Sequence, residues 1–393
     1  MIELAIADAG TPLVINDPAP PLFKETRTAP VRSMLLTGAS GFLGIYLLHD
    51  LVKHVDKVVC LQRCDSATTG EDDLRQKARE AGLLIDFSRV EVIAADLASP
   101  DLGLDSVQWH RLAGEVDAIL HCGAFVHHLH SYAQMKRANV DGTESLLRLA
   151  LTQRQKPLCF VSTMSVPAMQ EGVTRIEEQV PTGRPQMDNG YLLTKWAGEQ
   201  RVAECARRFG LPVIVARPGN ITGDSRSGYS NYAHNHFWLY NKGCVELGAF
   251  PDTGQEVEMM PVDQLARAVV ALTLSHRDGL RVANLSNPVT LSQRSWFNLL
   301  AKDGLRVLPE TPLEWQHRLT DLSSSNGLAL IRDFYAGDLS GKPLPIEHSG
   351  TISELTKHDV QLTVDYERLI PLYLAYLRAE GFIDETVASL AVL

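Results

Sequence analysis

Residues 33–44 read SMLLTGASGFLG, and the helical pattern FLGIYLLHDLVKH grows out of their last three. A short apolar run ends in a glycine turn, and apolar residues then recur at helical spacing, so the segment reads as strand, turn and helix. Glycines stand at 38, 41 and 44, the G-x-x-G-x-x-G form of a dinucleotide fingerprint. Gly38 permits the tight turn, Gly41 lets the backbone approach a pyrophosphate, and Gly44 lets helix pack on strand. The helix N-terminus adds unpaired N–H groups and partial positive charge for phosphates. A glycine-rich turn can also occur without a ligand; the strand before it and the helix after it favour the nucleotide. Thr37, Ser40, Phe42 and Leu43 complete the cofactor-binding turn.

Outward from that turn, short apolar runs alternate with amphipathic stretches as far as about Asn220. DKVVCLQRC, RVEVIAADL, VDAILHCGA, PLCFVSTMSV and LPVIVARPGNI read as strands, and EDDLRQKAREAG, NVDGTESLLRLALTQ and YLLTKWAGEQRVAECARRFG as helices among them. Near-continuous Val, Ile, Leu and Ala in the strands predicts an α/β fold, a doubly wound parallel sheet covered on both faces. Beyond Asn220 the alternation fails, although PVDQLARAVVALTLSH is a clear helix and RVANLSN a last strand. The expected organisation is an extended N-terminal arm over 1–31 and a nucleotide-binding domain over 32–223, rejoined by 258–288. Residues 224–257 and 289–393 are expected to form a smaller, mostly helical substrate lobe.

Composition narrows the function classes. Hydrophobic residues make up 45% and charged residues 21%, and the formal net charge is -10. That balance, with no long Lys/Arg block, argues against nucleic acid. No apolar run reaches membrane-spanning length. The N-terminus lacks the basic region of a signal peptide. Six cysteines with no C-x-x-C pair suit free thiols in a reducing cytoplasm.

The second strand's end bears on the cofactor. An NAD enzyme places Asp or Glu there for the ribose hydroxyls. This chain has VVCLQRC, with Arg63 nineteen positions after Gly44. A guanidinium holds a 2′-phosphate through paired charged hydrogen bonds, which favours NADPH. Asp96, closing EVIAADL, stands where it could meet the adenine edge or cap the following segment. In NGYLLTKWAGEQ, Tyr191 and Lys195 share a helix face, so the ammonium lies near the phenol and is expected to lower its pKa. A hydroxyl partner is offered by Ser162 and Thr163 in FVSTMSV.

TGASGFLG, Asp96, ILHCGA, NVDGT, FVSTMSV, YLLTK and ARPGNI occur in the order and spacing of the extended short-chain dehydrogenase/reductase superfamily, which the chain resembles. CLQRC, HHLHSYAQMKRANVDGT, ARPGNITGDSRSG, MMPVDQLARAVVALT and the tail from LSNPVTLSQRSWFNLLAKDG to YLRAEGF are similar to its thioester reductase branch. That branch holds the terminal reductase domains of non-ribosomal peptide and polyketide synthetases and of carboxylic acid reductases. The resemblance implies Thr163, Tyr191 and Lys195 as the catalytic triad, with Lys195 also holding the cofactor. It extends the cofactor-binding set to Leu97, Gly123, Pro218 and Asn220. It further implies an acyl or peptidyl thioester on a carrier protein's phosphopantetheine arm as substrate, aldehyde or primary alcohol as product, and a monomer. The competing readings are a sugar-nucleotide epimerase or dehydratase, a fatty acyl-CoA reductase, and a non-catalytic NADPH sensor. HHLH, with His127, His128 and His130, invites a metal, but a polar loop fits it better. His121 is expected to line the cofactor cleft.

Overall fold

The computed structural model describes residues 1–15, 29–127, 130–322, 326–332 and 344–383. Its frame is β1 (Ser33–Thr37), β2 (Lys57–Gln62), β3 (Val90–Ala94), β4 (Ala118–His121), β5 (Leu158–Val161), β6 (Val213–Pro218) and β9 (Leu280–Leu285). These seven strands form one all-parallel sheet in the order β3-β2-β1-β4-β5-β6-β9. The winding reverses between β1 and β4, and in open α/β sheets the ligand crevice opens beyond the strand ends at that point. Every residue of β4, β5 and β6 is buried, which is why these strands read as apolar runs rather than alternations.

The covering helices are α2 (Phe42–Leu51), α3 (Ala67–Glu80), α4 (Ser106–Glu115), α5 (Tyr132–Lys136), α6 (Gly142–Leu151), α7 (Ser165–Ala168), α8 (Gly190–Phe209) and α10 (Val262–Ser275). Their ends are chemically marked. Ser66 and Asp105 form capping boxes on α3 and α4, and the Asn189 side chain accepts the Leu192 N–H at the start of α8. Gly210, at φ 66°, stops α8 in the left-handed region.

The chain divides into two compact units. The first is Met1–Pro218, Leu265–Leu285 and Ile346–Gln361; the second is Gly219–Gln264, Ser286–Pro345 and Leu362–Leu393. The first unit thus ends five residues before the expected 223, and its return starts at Leu265 rather than 258. Residues 346–361 were expected in the substrate lobe, yet they rejoin the first unit. There the Glu347 N–H donates to Ile176 O, the Asn284 amide donates to Glu347 O, and α13 (Ser349–Thr356) packs on β9. The N-terminus also departs from an extended arm, since Ile2–Gly10 forms a helix, α1, lying on α8. Residues 16–28, its Pro-rich stretch, fall outside the described residues.

The second unit holds α9 (His236–Leu247), α11 (Gln293–Lys302), α12 (Pro312–Thr320) and α14 (Tyr366–Ala379). Two short ladders join them: β8 (Glu256–Val257) with β10 (Leu291–Ser292), and β7 (Ala249–Pro251) with β11 (Leu308–Glu310). Trp238, Trp296, Trp315, Phe297 and Tyr373 form the centre of its core. Of the aromatic run 229–240, Trp238 belongs to that core, and Tyr232, Phe237 and Tyr240 pack against it.

Candidate active site

Beyond the ends of β1, β2 and β4 lies an open cleft of about 200 Å³, walled by Gly38, Ser40, Arg63, Asp96, Leu97 and Gly123 among others. Gly38 has φ 76°, and a Cβ there would stand 2.6 Å from Gly123 Cα. A Cβ on Gly44 would stand 1.8 Å from Gly38 O, so the turn closes only with glycine. Gly41 caps α2, and its N–H donates to Gly38 O at 3.0 Å. Phe42 opens α2, while Thr37 and Leu43 are buried under the turn. The Arg63 guanidinium is exposed and has no hydrogen bond or ion pair among the described residues. Asp96 lines the cleft, but its carboxylate also accepts the Ala98 N–H at 3.0 Å, so it caps its own turn.

Two further residues of the expected cofactor set have partners of their own. Pro218 closes β6, where its carbonyl accepts the Met164 N–H at 3.0 Å. Asn220 lies in the second unit, its N–H given to Glu258 at 2.8 Å. The groups that wall the cleft suit a dinucleotide: a turn bare of side chains, a helix N-terminus, and a guanidinium unpaired among the described residues.

Beneath the turn, side chains from neighbouring strands settle the state of His121. Register pairs Thr37 with His121, and Thr37 Oγ1 lies 2.8 Å from His121 Nδ1. The other ring nitrogen lies 2.9 Å from Thr143 Oγ1, which donates its own proton to Asn139 O. Thr143 must therefore accept, so His121 carries its proton on Nε2 and accepts at Nδ1 from Thr37. Thr37 in turn accepts the Gly123 N–H at 3.0 Å. Burial, with the Lys195 charge behind it, pulls the His121 pKa down to about 3. His121 is a neutral buried link between β1, β4 and α6, and it does not line the cleft as expected.

Of the residues expected to react, Thr163 follows the end of β5, and Lys195 reaches that strand end from α8. The Lys195 ammonium donates to Val161 O at 2.7 Å, which fixes α8 to the last residue of β5, two before Thr163. One of its three N–H donors is engaged there, and the other two have no acceptor among the described residues. Tyr191 sits one turn earlier, its ring centroid 5.9 Å from Lys195 Nζ and its hydroxyl unbonded among the described residues. The Ser162 hydroxyl donates to Glu199 at 2.6 Å, and Glu199 is in a fully buried ion pair with Arg217. That commitment leaves Thr163, half-buried and, among the described residues, with its hydroxyl accepting only the Ser165 N–H at 3.3 Å, as the available hydroxyl.

The ionisation of the pair differs from expectation. Burial, more than any charge, raises the Tyr191 pKa above its ordinary value, while burial lowers that of Lys195 to about 8. Desolvation penalises both charged forms and outweighs the cation's pull on a phenol this far away. The phenol therefore stays protonated, which is the form a proton donor needs.

Sequence reasoning missed Asn139, although the motif NVDGT begins with it. Its amide donates to Phe125 O and to Thr194 Oγ1, and its carbonyl accepts the Phe125 N–H at 2.7 Å. Asn139 lies in a π-helical turn, Arg137–Asp141, and ties the loop after β4 to α8 beside Tyr191. Such one-turn bulges are rare and recur at functional sites. Asp263 is structural, accepting the N–H and hydroxyl of Ser225 in the second unit. The rings of His127 and His130 stack at 3.7 Å, and His128 lies outside the described residues. No cluster of three metal-ligating side chains occurs among the described residues.

A family model described as male sterility protein matches residues 36–269. The chain belongs to this family. Within it the chain falls in the thioester reductase branch of the extended short-chain dehydrogenases/reductases. It is 33% identical over 303 residues to a linear gramicidin synthase polypeptide of Brevibacillus parabrevis, covering 76% of this chain and 6% of that protein. It is 30% identical over 395 residues to the L-2-aminoadipate reductase of Schizosaccharomyces pombe, covering 93% of this chain and 28% of that one. The chain thus spans less than a third of these relatives. The terminal R domain from the myxalamid PKS-NRPS biosynthetic pathway superposes with a TM-score of 0.88 at 31% identity, over 98% of this chain and 99% of that one. Family and cleft agree on a nicotinamide dinucleotide as cofactor. No described helix is long and apolar enough to cross a membrane.

Proposed function

We propose that this chain is an NADPH-dependent reductase that releases an acyl or peptidyl group from a carrier-protein phosphopantetheine thioester as an aldehyde, and onward as the primary alcohol. The observation that supports the reading is Lys195, which ties α8 to the strand end just before Thr163 and lies 5.9 Å from the Tyr191 ring centroid. The similar R domain and aminoadipate reductase support it.

Arg63 is the residue available to a 2′-phosphate, and the two unengaged Lys195 donors suit ribose hydroxyls. Bound NADPH supplies a hydride to the thioester carbonyl carbon. As the C=O becomes an oxyanion, Thr163 donates a hydrogen bond to it and Tyr191 gives it a proton. Donors aimed at charge that appears only in the transition state contribute roughly 10²–10³ in rate each. The hemithioacetal then collapses: the C–S bond breaks, the C=O re-forms, and the hydroxyl proton passes to the sulfur, which leaves as thiol beside the aldehyde. Once Tyr191 has regained a proton from solvent and a second NADPH has replaced the spent cofactor, the same two donors would serve reduction of the aldehyde to the alcohol. Lys195 keeps positive charge beside the phenol that has given up its proton.

The test is mass-spectrometric product analysis with a carrier-bound acyl thioester and excess cofactor. Aldehyde or alcohol should form with NADPH. Arg63→Ala should weaken NADPH binding about tenfold to a hundredfold while leaving NADH nearly unchanged, as loss of charged hydrogen bonds to one phosphate requires. Equal turnover of acyl-CoA and carrier-bound substrate would shift the reading to a fatty acyl-CoA reductase. No thioester-dependent NADPH oxidation from either would overturn it.

A further inference from the structure

A second, smaller core lies away from the main sheet core and close to the reacting groups. Tyr132, Val166, Met169, Leu193 and Trp196 are buried in it together with Ala5 of α1. Ile2, Ile6 and Ala9 of α1 and Leu192 of α8 pack around its rim. Its members are sequence neighbours of the reacting residues: Val166 follows Thr163 into α7, Leu192 and Leu193 follow Tyr191, and Trp196 follows Lys195. The segments that carry Thr163, Tyr191 and Lys195 therefore each border one satellite core, and α1 supplies one wall of it.

Polar contacts key α1 into place. The buried Tyr132 hydroxyl donates to Asp8 at 2.9 Å. Arg201, buried on α8 and paired with Glu144 at 2.7 Å, donates to Asp8 O and Thr11 O, carbonyls at the C-terminal end of α1. A guanidinium there satisfies orphan carbonyls and opposes the negative end of the helix dipole. The link onward to the phenol is backbone on backbone. A Cβ on Gly190 would stand 2.3 Å from His130 O and 2.7 Å from Tyr132 N, so the residue before Tyr191 packs directly on the start of α5.

We propose that α1 is a positioning element for the reacting hydroxyls, with the Tyr132–Asp8 hydrogen bond as its key: α1 seats Tyr132, Tyr132 seats the first turn of α8, and that turn aims Tyr191. This rests on the reductase reading above for its kinetic consequence but not for its structural one. A nine-residue helix is too short to be stable alone, so its order comes from this docking. Misplacement of a reacting group by about 1 Å can cost on the order of 10² in rate, so a small loss of seating has a large readout.

The test uses the full chain with Tyr132→Phe, Asp8→Ala, Asp8→Asn and the double variant Tyr132→Phe/Asp8→Ala. Tyr132→Phe keeps the ring and removes only the hydrogen bond. Both Tyr132→Phe and Asp8→Ala should lower kcat about tenfold or more with the dissociation constant for NADPH within about twofold. The double variant should be no worse than either single one, and Asp8→Asn, which keeps an acceptor, should restore kcat. Hydrogen exchange supplies the reading that needs no substrate: amides of 163–169 and 190–196 should exchange about tenfold faster in Tyr132→Phe, with β1 and β4 unchanged. Unaltered protection at 163–169 and 190–196 overturns the proposal, as does loss of kcat and NADPH binding in parallel. If the wild type lacks reductase activity but the exchange pattern holds, the reductase reading falls and the positioning role stands.

Discussion

Tyr191 is a half-buried phenol with an unbonded hydroxyl, and Lys195 a buried ammonium with two idle donors, so each has capacity that nothing among the described residues uses. Removing the phenolic oxygen should therefore leave the fold and the cleft intact. Tyr191→Phe is expected to lower kcat by roughly 10²–10³ with NADPH affinity, measured by nucleotide fluorescence, within about twofold. The pKa directions fix the pH profile. Tyr191 is pushed upward, so it remains a proton donor throughout the working range. Lys195 is pulled down to about 8, so its ammonium, and with it the activity, is lost as pH rises through that value. A plot of kcat/KM against pH should show one descending limb near pH 8, and a profile flat to pH 10 would remove Lys195 as the charged partner. What the sequence displayed at this scale was local: three glycines at fixed spacing, and two residues one turn apart. The choice between Ser162 and Thr163 was not local. It depends on Glu199, thirty-seven positions away, whose carboxylate engages Ser162 and leaves Thr163 available.

The strands and the helices α2, α3, α6, α8 and α10 were legible because both periods repeat over many residues. Helix α4 was passed over, although Asp105 marks its start by accepting the Gln108 N–H. Two further elements were hidden for opposite reasons. Helix α1 is short and is held by Arg201 and Tyr132, residues far off in the chain, so its own composition says little. The π-helical turn at Arg137–Asp141 shifts one turn of a helix that otherwise runs on, a change with no periodic signature. Its consequence is chemical, since it aims Asn139 at both Phe125 and Thr194. Asn139→Ala would remove the buried bond to Thr194 and leave the part-buried Phe125 N–H and carbonyl without their partner. The expected loss is about 1–2 kcal/mol, read as a lower urea midpoint with an unchanged slope, together with a fall in kcat. A midpoint within error of wild type would mean that water replaces the amide and that the turn does not depend on it.

The polypeptide passes between its two units five times, at 218/219, 264/265, 285/286, 345/346 and 361/362. The first three of these crossings lie near the boundaries expected at 223, 258 and 288, but the last two coincide with no change in sequence texture, so the return of 346–361 to the first unit could not be read from patterning. The family resemblance reached that region without locating it, because likeness along the chain reports relatedness and says nothing of which unit a segment joins. Stability of the first unit, by contrast, hangs on a group that the motif ILHCGA displayed openly. His121 is held neutral between Thr37 and Thr143, with its pKa brought down to about 3. In the unfolded chain the same imidazole takes a proton near its ordinary value of about 6.5. Between those two values the unfolded state binds the extra proton, so the contribution of His121 is complete above about pH 6.5 and declines as pH falls toward about 3. At pH 5 the loss amounts to about 2 kcal/mol, since roughly one and a half pH units separate that condition from the unfolded pKa. Denaturation midpoints measured at pH 7.5 and pH 5 should therefore differ more in the wild type than in His121→Gln, which cannot titrate. The variant will be less stable at pH 7.5 because it cannot reproduce both threonine contacts, but the quantity compared is the change between the two conditions. Equal changes in the two proteins would place the acid sensitivity on other groups and would mean that His121 is not buried neutral in the folded protein.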